Sequence, residues 1–399
     1  MPNPLEGKHV ALGVTGSIAC YKAVDLASKL TQEGALVDVI MTKSATMFVT
    51  PLAFNAITHQ PVVTDIFDPQ SELSMDHVAS AERADVIIVA PATANTLARL
   101  AWGMADDALA ATVLATRAPI ILTPAMDANM FQNAATQDNV ETLAARGMVI
   151  AGPAEGRLAS GLVGLGRLLE SRELLGYVRM VLGRTGDLAD RTIVISAGGT
   201  QEPVDPVRMI SNRSSGKMGY AIAEAARDRG ARTVLVAAPT ALPDPVGVLV
   251  KHTETALEMR EAILNASADA DALIMAAAVA DWRPVTAASQ KIKKGDASTW
   301  SIDLTKNPDI AAEVQADGLI KVGFAAESED LAANARSKIV SKGLHLIAAN
   351  DITAEEGGFG SDNNRVLLID KEGGVEKLPL MTKYEVGHRI LDRVAALLP

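Results

Sequence analysis

Lys8-His-Val-Ala-Leu-Gly-Val-Thr-Gly-Ser17 begins as a short apolar run, Lys8–Leu12, breaks at glycine, and passes into a helical pattern from about Tyr21 to Leu30. The same grammar returns at Thr192-Ile-Val-Ile-Ser-Ala-Gly-Gly-Thr200. There a strand over Thr192–Ser196 leads through a long loop to a helix from about Met218 to Arg229. A strand, a glycine turn and a helix in that order make the first βα unit of a doubly wound sheet. Two such openings in 399 residues predict an α/β protein of two Rossmann-like domains with mostly parallel sheets, since one domain usually runs to about 150–200 residues.

Further strands are expected at Leu36–Met41, Val86–Ala90, Ile120–Thr123 and Val149–Ala151. After the second opening they are expected at Arg232–Val236, Ala272–Ala276, Ile320–Phe324 and His345–Asn350. Val178–Asp190, with Gly183, Gly186 and four charged residues, reads as the linker, which puts the domains at 1–187 and 188–399. Neither glycine loop carries the G-x-G-x-x-G dinucleotide fingerprint, so each can be a plain turn. Ser17, read at the start of a helix, favours a phosphate there.

Aromatic residues are scarce at 3%, so the cores must be aliphatic, which suits parallel strands covered on both faces. The net charge of −11 argues against a nucleic-acid partner, because such a chain repels phosphate polymers. One cysteine, Cys20, excludes an intrachain disulfide and a cysteine-built zinc site. MPNPLEGKHVALGV lacks the pattern of a signal peptide, and the apolar runs fall short of a membrane span. A cytoplasmic protein without a membrane partner is expected.

Four stretches of the first half are rich in small polar residues: Gly16-Ser-Ile-Ala, Pro91-Ala-Thr-Ala-Asn-Thr96, Gly103-Met-Ala-Asp-Asp107 and Pro124-Ala-Met-Asp-Ala-Asn-Met130. The second and fourth follow expected strands, where open α/β sheets bind ligands; any one alone could be a helix-capping turn. Together they resemble the flavin-containing cysteine decarboxylases, in the phosphopantothenoylcysteine decarboxylase branch, over roughly residues 6–180. The resemblance implies FMN, with Gly16, Ser17 and Thr42 near its phosphate and Pro91, Ala92, Thr93 and Asn95 along its ring and ribitol. It also implies a homotrimer and an active-site histidine at His77, a residue type suited to taking and returning a proton. The implied reaction uses the flavin's redox chemistry to ease loss of the substrate's carboxylate.

Two positions depart from that family's pattern. Asp127 stands where asparagine is usual; an ionised Asp cannot donate to a substrate carboxylate. It must therefore be protonated, be turned aside, or meet the substrate differently. Ser160, in the flap Gly156–Arg167, stands where the best-known members carry a redox-active cysteine; serine relays protons but does no thiol chemistry. Both remain candidate catalytic residues.

Gly198–Gly219 is dense in Gly, Ser, Asn and Pro and cannot be a plain helix or strand. It resembles phosphopantothenate–cysteine ligase, and further matches follow in order: Ala276–Pro284 with Lys291-Ile-Lys-Lys294, Lys306–Ile310, Val322–Glu327, and Lys338 with Lys342. The resemblance implies CTP and Mg²⁺: the carboxylate of 4'-phosphopantothenate attacks the α-phosphate, and the amine of cysteine then displaces CMP. It implies that Asn212 holds the acyl-cytidylate and that Lys291 is the principal catalytic cation. Ala277, Ala278, Asp281, Phe324, Lys338 and Lys342 meet the nucleotide, Pro308, Asp309, Ile310 and Ala311 line its base, and Asp281 is the metal candidate. Without the resemblance, the 291–294 lysines read as a solvated loop.

The ligase product is the decarboxylase substrate, so the two halves together imply a bifunctional enzyme of coenzyme A biosynthesis. The resemblance also implies dimeric ligase contacts, which with a trimeric decarboxylase close as a dodecamer. A nicotinamide-dependent dehydrogenase would need G-x-G-x-x-G, which is missing. Asp127 and Ser160 keep open an active ligase with a vestigial flavin-binding half that serves as an assembly core.

Overall fold

The computed structural model describes residues 3–66, 76–293, 298–327, 331–351 and 360–399, and of residues 76–77, 326–327, 331–335 and 350–351 the backbone alone. The chain divides into two compact units, Pro2–Leu182 and Gly183–Pro399.

The first unit opens with β1 (His9–Val14), α1 (Cys20–Gln32), β2 (Leu36–Met41), α2 (Pro51–Thr58) and β3 (Val62–Val63). Then come α3 (Asp76–Arg83), β4 (Val86–Ala92), α4 (Ala94–Trp102), α5 (Ala108–Ala115) and β5 (Ile120–Pro124). It closes with α6 (Ala128–Gln132), α7 (Ala134–Ala145), β6 (Val149–Ile150), a hairpin of β7 (Ala154–Arg157) and β8 (Val163–Arg167), and α8 (Ser171–Gly183). The sheet order is β3-β2-β1-β4-β5-β6, parallel throughout. Side chains alternate across a strand, and here both faces are buried. Val10, Leu12 and Val14 pack against Ala23, Leu26 and Leu30 of α1. On the other face, Ile87 and Val89 meet Leu97, Leu109 and Val113. The order in which successive strands are added reverses between β1 and β4, so a crevice opens there at the carboxyl ends.

The second unit repeats the plan with β9 (Thr192–Ala197), β10 (Gln201–Pro203), β11 (Met209–Ser211), α9 (Lys217–Arg227), β12 (Arg232–Ala237) and β13 (Leu249–His252). It continues through α10 (Ala256–Ser267), β14 (Ala272–Met275), β15 (Trp282–Pro284), β16 (Leu304–Lys306), α11 (Ile310–Glu313), β17 (Ile320–Glu327), α12 (Leu331–Lys342) and β18 (Leu346–Asp351). β19 (Asn363–Asn364), β20 (Val366–Asp370), β21 (Val375–Lys377), β22 (Met381–Thr382) and α13 (Lys383–Leu397) complete it. Its eight-stranded sheet runs β13-β12-β9-β14-β17-β18-β20-β21. The first six strands are parallel, and β20 and β21 add an antiparallel edge. The expected mostly parallel α/β architecture is present in both units.

The same aspartate device closes the two sheets. Asp85, just before β4, accepts from the His9 backbone N–H at 2.9 Å and from Lys8 Nζ at 3.0 Å. Asp271, just before β14, accepts from the Thr192 N–H at 2.7 Å and from Arg191 at 2.9 Å. Each carboxylate thus satisfies the first donor of its unit's central strand and pairs with the cation preceding it.

The expected linker is a correction. Val178–Gly183 belongs to α8, and the turns after it fold onto the second unit, where Arg229 pairs with Asp187. Gly183 and Gly186 are there because a Cβ would fall 1.9 Å from the Asp228 carbonyl oxygen and 2.5 Å from that of Arg229. They mark close backbone approach rather than flexibility.

Two candidate active sites

In the first unit the loops after β1, β2, β4 and β5 meet at the crevice. Thr15 Oγ1 donates to the Pro91 carbonyl at 2.7 Å and accepts from the Thr93 N–H at 3.1 Å, joining the β1 and β4 loops. Gly16 lies against Ser44, so close that a Cβ would stand 2.4 Å from Ser44 Cβ. Thr42 bonds back to the Val14 carbonyl at 3.0 Å. Ala92 accepts from the Ala125 N–H at 3.1 Å, which ties the β5 loop to β4. Thr93 caps α4 through its side chain, and Asn95 is exposed in the first turn of that helix. The structure therefore gathers Gly16, Ser17, Thr42, Pro91, Ala92, Thr93 and Asn95 along one edge of the sheet. Ser17 does not start the helix as expected: its Oγ accepts from the Ala19 N–H, and α1 begins at Cys20 behind an Ala19 N-cap with no side-chain cap. Within that first turn the Cys20 N–H donates to the Ser17 carbonyl and the Lys22 N–H to the Ala19 carbonyl, each at 3.0 Å.

Asp127 and Ser160, the two departures, touch. Ser160, on the turn between β7 and β8, donates to Asp127 Oδ2 at 2.6 Å. Asp127 Oδ1 caps α6 by accepting from the Asn129 N–H at 3.0 Å. The Ser160 hydroxyl, and then the Asn129 N–H, hold the Asp127 carboxyl below its ordinary range, so it is ionised and turned to the hairpin rather than protonated. The hairpin is also bound through Met126 N–H to the Gly166 carbonyl at 2.9 Å. His77 is the second residue of α3; its side chain lies outside the described residues.

In the second unit a cavity of about 670 Å³ opens at the carboxyl ends of β14 and β17. Asn212, Ala277, Ala278, Asp281, Pro308, Asp309, Ile310, Ala311, Phe324, Lys338 and Lys342 all line it, brought together from sequence positions spread over 130 residues. The walls are rigidly keyed. Asn212 Nδ2 donates to the Val279 carbonyl at 3.0 Å, Thr200 Oγ1 accepts from the Ala280 N–H at 2.9 Å, and Asn307 Nδ2 donates to the Ala280 carbonyl at 2.8 Å. Lys342 Nζ pairs with Asp309 Oδ2 at 3.1 Å.

Sequence reasoning missed Arg213, Lys217, Lys306 and Lys383, which also line the cavity. Lys217 was in view in the glycine-rich segment, but Lys383 arrives from the distant start of α13, and no local pattern marks it. Its ammonium donates to the Ser361 carbonyl; burial, then the nearby Lys217, pushes it below the usual lysine range. With these, six basic and two acidic side chains line the cavity among the described residues, in a chain of net charge −11.

Lys291 is not a cavity residue. It is exposed, next to Ile292, whose N–H donates to Asp205 Oδ2 at 3.1 Å and whose carbonyl accepts from Arg208 at 2.9 Å. Burial would raise the Asp205 carboxyl, but three backbone N–H donors and Arg208 outweigh it and hold it low. Lys294 lies outside the described residues.

A flavoprotein family model matches residues 1–183, and the model of the DNA/pantothenate metabolism flavoprotein C-terminal domain matches residues 188–398. The coenzyme A biosynthesis bifunctional protein CoaBC of Vibrio vulnificus is 45% identical over 398 residues, covering 99% of both chains. The chain belongs to the CoaBC family. The Escherichia coli CoaBC protein is likewise 45% identical, over 98% of this chain and 97% of its own. Among solved structures, the C-terminal domain of a CoaBC protein aligns with a TM-score of 0.46 and 37% identity, over 53% of this chain and 97% of its own. The CoaBC match spans both units, so the two sequence resemblances fall within one family.

Proposed function

We propose that this bifunctional enzyme of coenzyme A synthesis joins cysteine to 4'-phosphopantothenate with CTP in residues 188–399, and decarboxylates the product to 4'-phosphopantetheine in residues 1–187. One observation carries the ligase reading: among the described residues, six cations and two acids line the second unit's cavity. A phosphorylated acid and a nucleoside triphosphate are both polyanions, and an acidic chain needs local positive charge to hold them together.

The 4'-phosphopantothenate carboxylate attacks the α-phosphorus and pyrophosphate leaves; the cysteine amine then attacks the acyl carbon and CMP leaves. Lys338 and Lys342 offset charge on the triphosphate, and Lys342 exchanges Asp309 for phosphate oxygens as the nucleotide enters. Pro308, Asp309, Ile310 and Ala311 face the base, Phe324, Ala277 and Ala278 the sugar, and Asn212 the acyl-cytidylate. Lys291 comes to the phosphates from its exposed segment as an additional cation. Among the described residues no three His, Cys, Asp or Glu side chains gather around a metal position. Mg²⁺ fits the single carboxylate of Asp281 plus substrate phosphates, as is usual for that ion.

In the first unit, the uncapped start of α1 and the Gly16–Ser44 approach suit a flavin phosphate held by Gly16, Ser17 and Thr42. Pro91, Ala92, Thr93 and Asn95 run along the rest of FMN. FMN, when bound, supplies the redox chemistry that no side chain here can. His77 moves the substrate's proton, and Ser160 and Asp127 hold the hairpin over the site. The Ser160–Asp127 contact also favours a second reading, in which the decarboxylase half is vestigial and an assembly core, because the hydroxyl proton is already committed to Asp127.

Exposed Ile18, Tyr21, Phe48 and Trp102 in the first unit, and Trp282 and Trp300 in the second, support a homo-oligomer. We read trimeric decarboxylase and dimeric ligase contacts, closing as a dodecamer in the cytoplasm. Among the described residues no helix is long and apolar enough to cross a membrane, and no nucleic-acid partner is invoked.

A product assay by mass spectrometry with 4'-phosphopantothenate, cysteine, CTP and Mg²⁺ tests both halves. Phosphopantetheine is the expected product. Accumulation of phosphopantothenoylcysteine would favour the vestigial reading, and no amide with any nucleotide would overturn the proposal.

A further inference from the structure

Lys321, on β17, does not line the cavity, yet its ammonium joins two of the cavity's walls. Nζ donates to the carbonyls of Ala311 at 3.1 Å, Val314 at 3.0 Å and Lys342 at 2.8 Å. The first two close the carboxyl end of α11, and the third is the last residue of α12. Helix carboxyl ends present unsatisfied carbonyls and partial negative charge, so two such ends repel unless a cation sits between them. An ammonium has three donors, and all three are used. The strand fixes its base: the Lys321 N–H donates to His345 Nδ1 at 3.1 Å, and its carbonyl accepts from the His345 N–H at 2.8 Å. Asp309 and Lys342, side by side at the same junction, form an ion pair that faces the cavity.

We propose that Lys321 is a positioning residue for the nucleotide, setting the distance between the Pro308–Ala311 wall and the α12 wall that carries Lys338 and Lys342. This rests on the reading of the cavity as the nucleotide site. A nucleotide must engage the base wall and the phosphate lysines at once, so a shift of about 1 Å between them costs on the order of 100-fold. Cysteine reacts only after the acyl-nucleotide has formed and should be insensitive to that spacing.

The test compares the full-length Lys321→Met, Lys321→Arg and Lys342→Gln variants by pyrophosphate release, varying CTP and cysteine separately, alongside thermal melting. Lys321→Met keeps the length without the donors and should raise KM for CTP on the order of 10- to 100-fold, with KM for cysteine unchanged. Lys321→Arg, which keeps charge and donors, should restore most of it. An unchanged KM for CTP in Lys321→Met, while Lys342→Gln raises it, overturns the positioning role alone. Equal losses for both substrates, tracking the melting temperature, also overturn it, because they describe a plain helix cap. No effect of either Lys321→Met or Lys342→Gln sinks the nucleotide site and this proposal with it. Should Lys321→Met not fold, Lys321→Gln, with two donors on a shorter stem, must still raise KM for CTP; no rise refutes the role.

Discussion

Replacing Gly16 with alanine should strip the flavin from the first unit and leave the second working. The alanine Cβ would stand 2.4 Å from Ser44 Cβ, 3.1 Å from the Ser44 carbonyl carbon and 3.2 Å from its oxygen, where ordinary contact begins at 3.4 Å. Gly16 is outside the left-handed region, so the cost is contact and not backbone strain. Ser44 must therefore retreat by about 1 Å, a displacement of the overpacking kind that costs about 1–3 kcal/mol. Its loop cannot simply swing away, because Thr42 is bonded to the Val14 carbonyl and its Oγ1 accepts from the Ala45 N–H. The strain then falls on the state in which both loops close on the phosphate, and each 1.4 kcal/mol is about tenfold in affinity. FMN should bind on the order of 5- to 150-fold more weakly. Visible absorbance of the purified full chain gives the flavin content, fluorescence titration of the flavin-free protein gives the affinity, and pyrophosphate release is the internal control. Wild-type FMN affinity in Gly16→Ala would refute the placement of the phosphate between these loops, and loss of ligation too would show general unfolding.

Ser160→Ala removes the hydroxyl that holds the Asp127 carboxyl low, so that carboxyl should titrate nearer its ordinary value; an NMR titration that shows no upward shift would discard the contact. The Asp85 carboxyl is raised by burial, but the His9 N–H and Lys8 outweigh this and hold it low. Its stabilisation is therefore full above the unfolded carboxyl value and lost as pH falls through the folded one. Asp85→Asn should lower the first unit's melting temperature at neutral pH by roughly 2–4 °C, from about 1 kcal/mol, with the gap closing in acid; a gap that persists in acid would assign the effect elsewhere. Removing divalent cations with a chelator should stop pyrophosphate release until Mg²⁺ is restored, whereas undiminished release would dismiss the metal at Asp281.

The central strands were legible because they are buried on both faces. Leu36–Met41 and the openings at β1 and β9 are mostly β-branched and aliphatic, interrupted only by Asp38, Gly13 and Ser196, and admit few other readings. The antiparallel edge and the short pairs β7–β8, β10–β11 and β15–β16 were not, since strands of three to five residues leave little periodicity to read. The linker misled because glycine signals either freedom or crowding, and at Gly183 and Gly186 only the fold shows that it is crowding. Motif order singled out many of the residues that line the second unit's cavity. It placed Lys291 there too, although that residue sits outside on a segment tethered by Asp205, and it gave no hint of Lys383.

The serine at the hairpin tip changes how this protein meets its chemical surroundings. Where a thiol there would be open to alkylating agents and peroxide, the Ser160 hydroxyl is inert to both. The chain's single sulfhydryl, Cys20, is fully buried at the start of α1, and burial pushes its thiol up, away from the reactive thiolate. The protein itself therefore offers no exposed thiol to either agent, and the vulnerable thiols of the reaction are those of the cysteine substrate and its products.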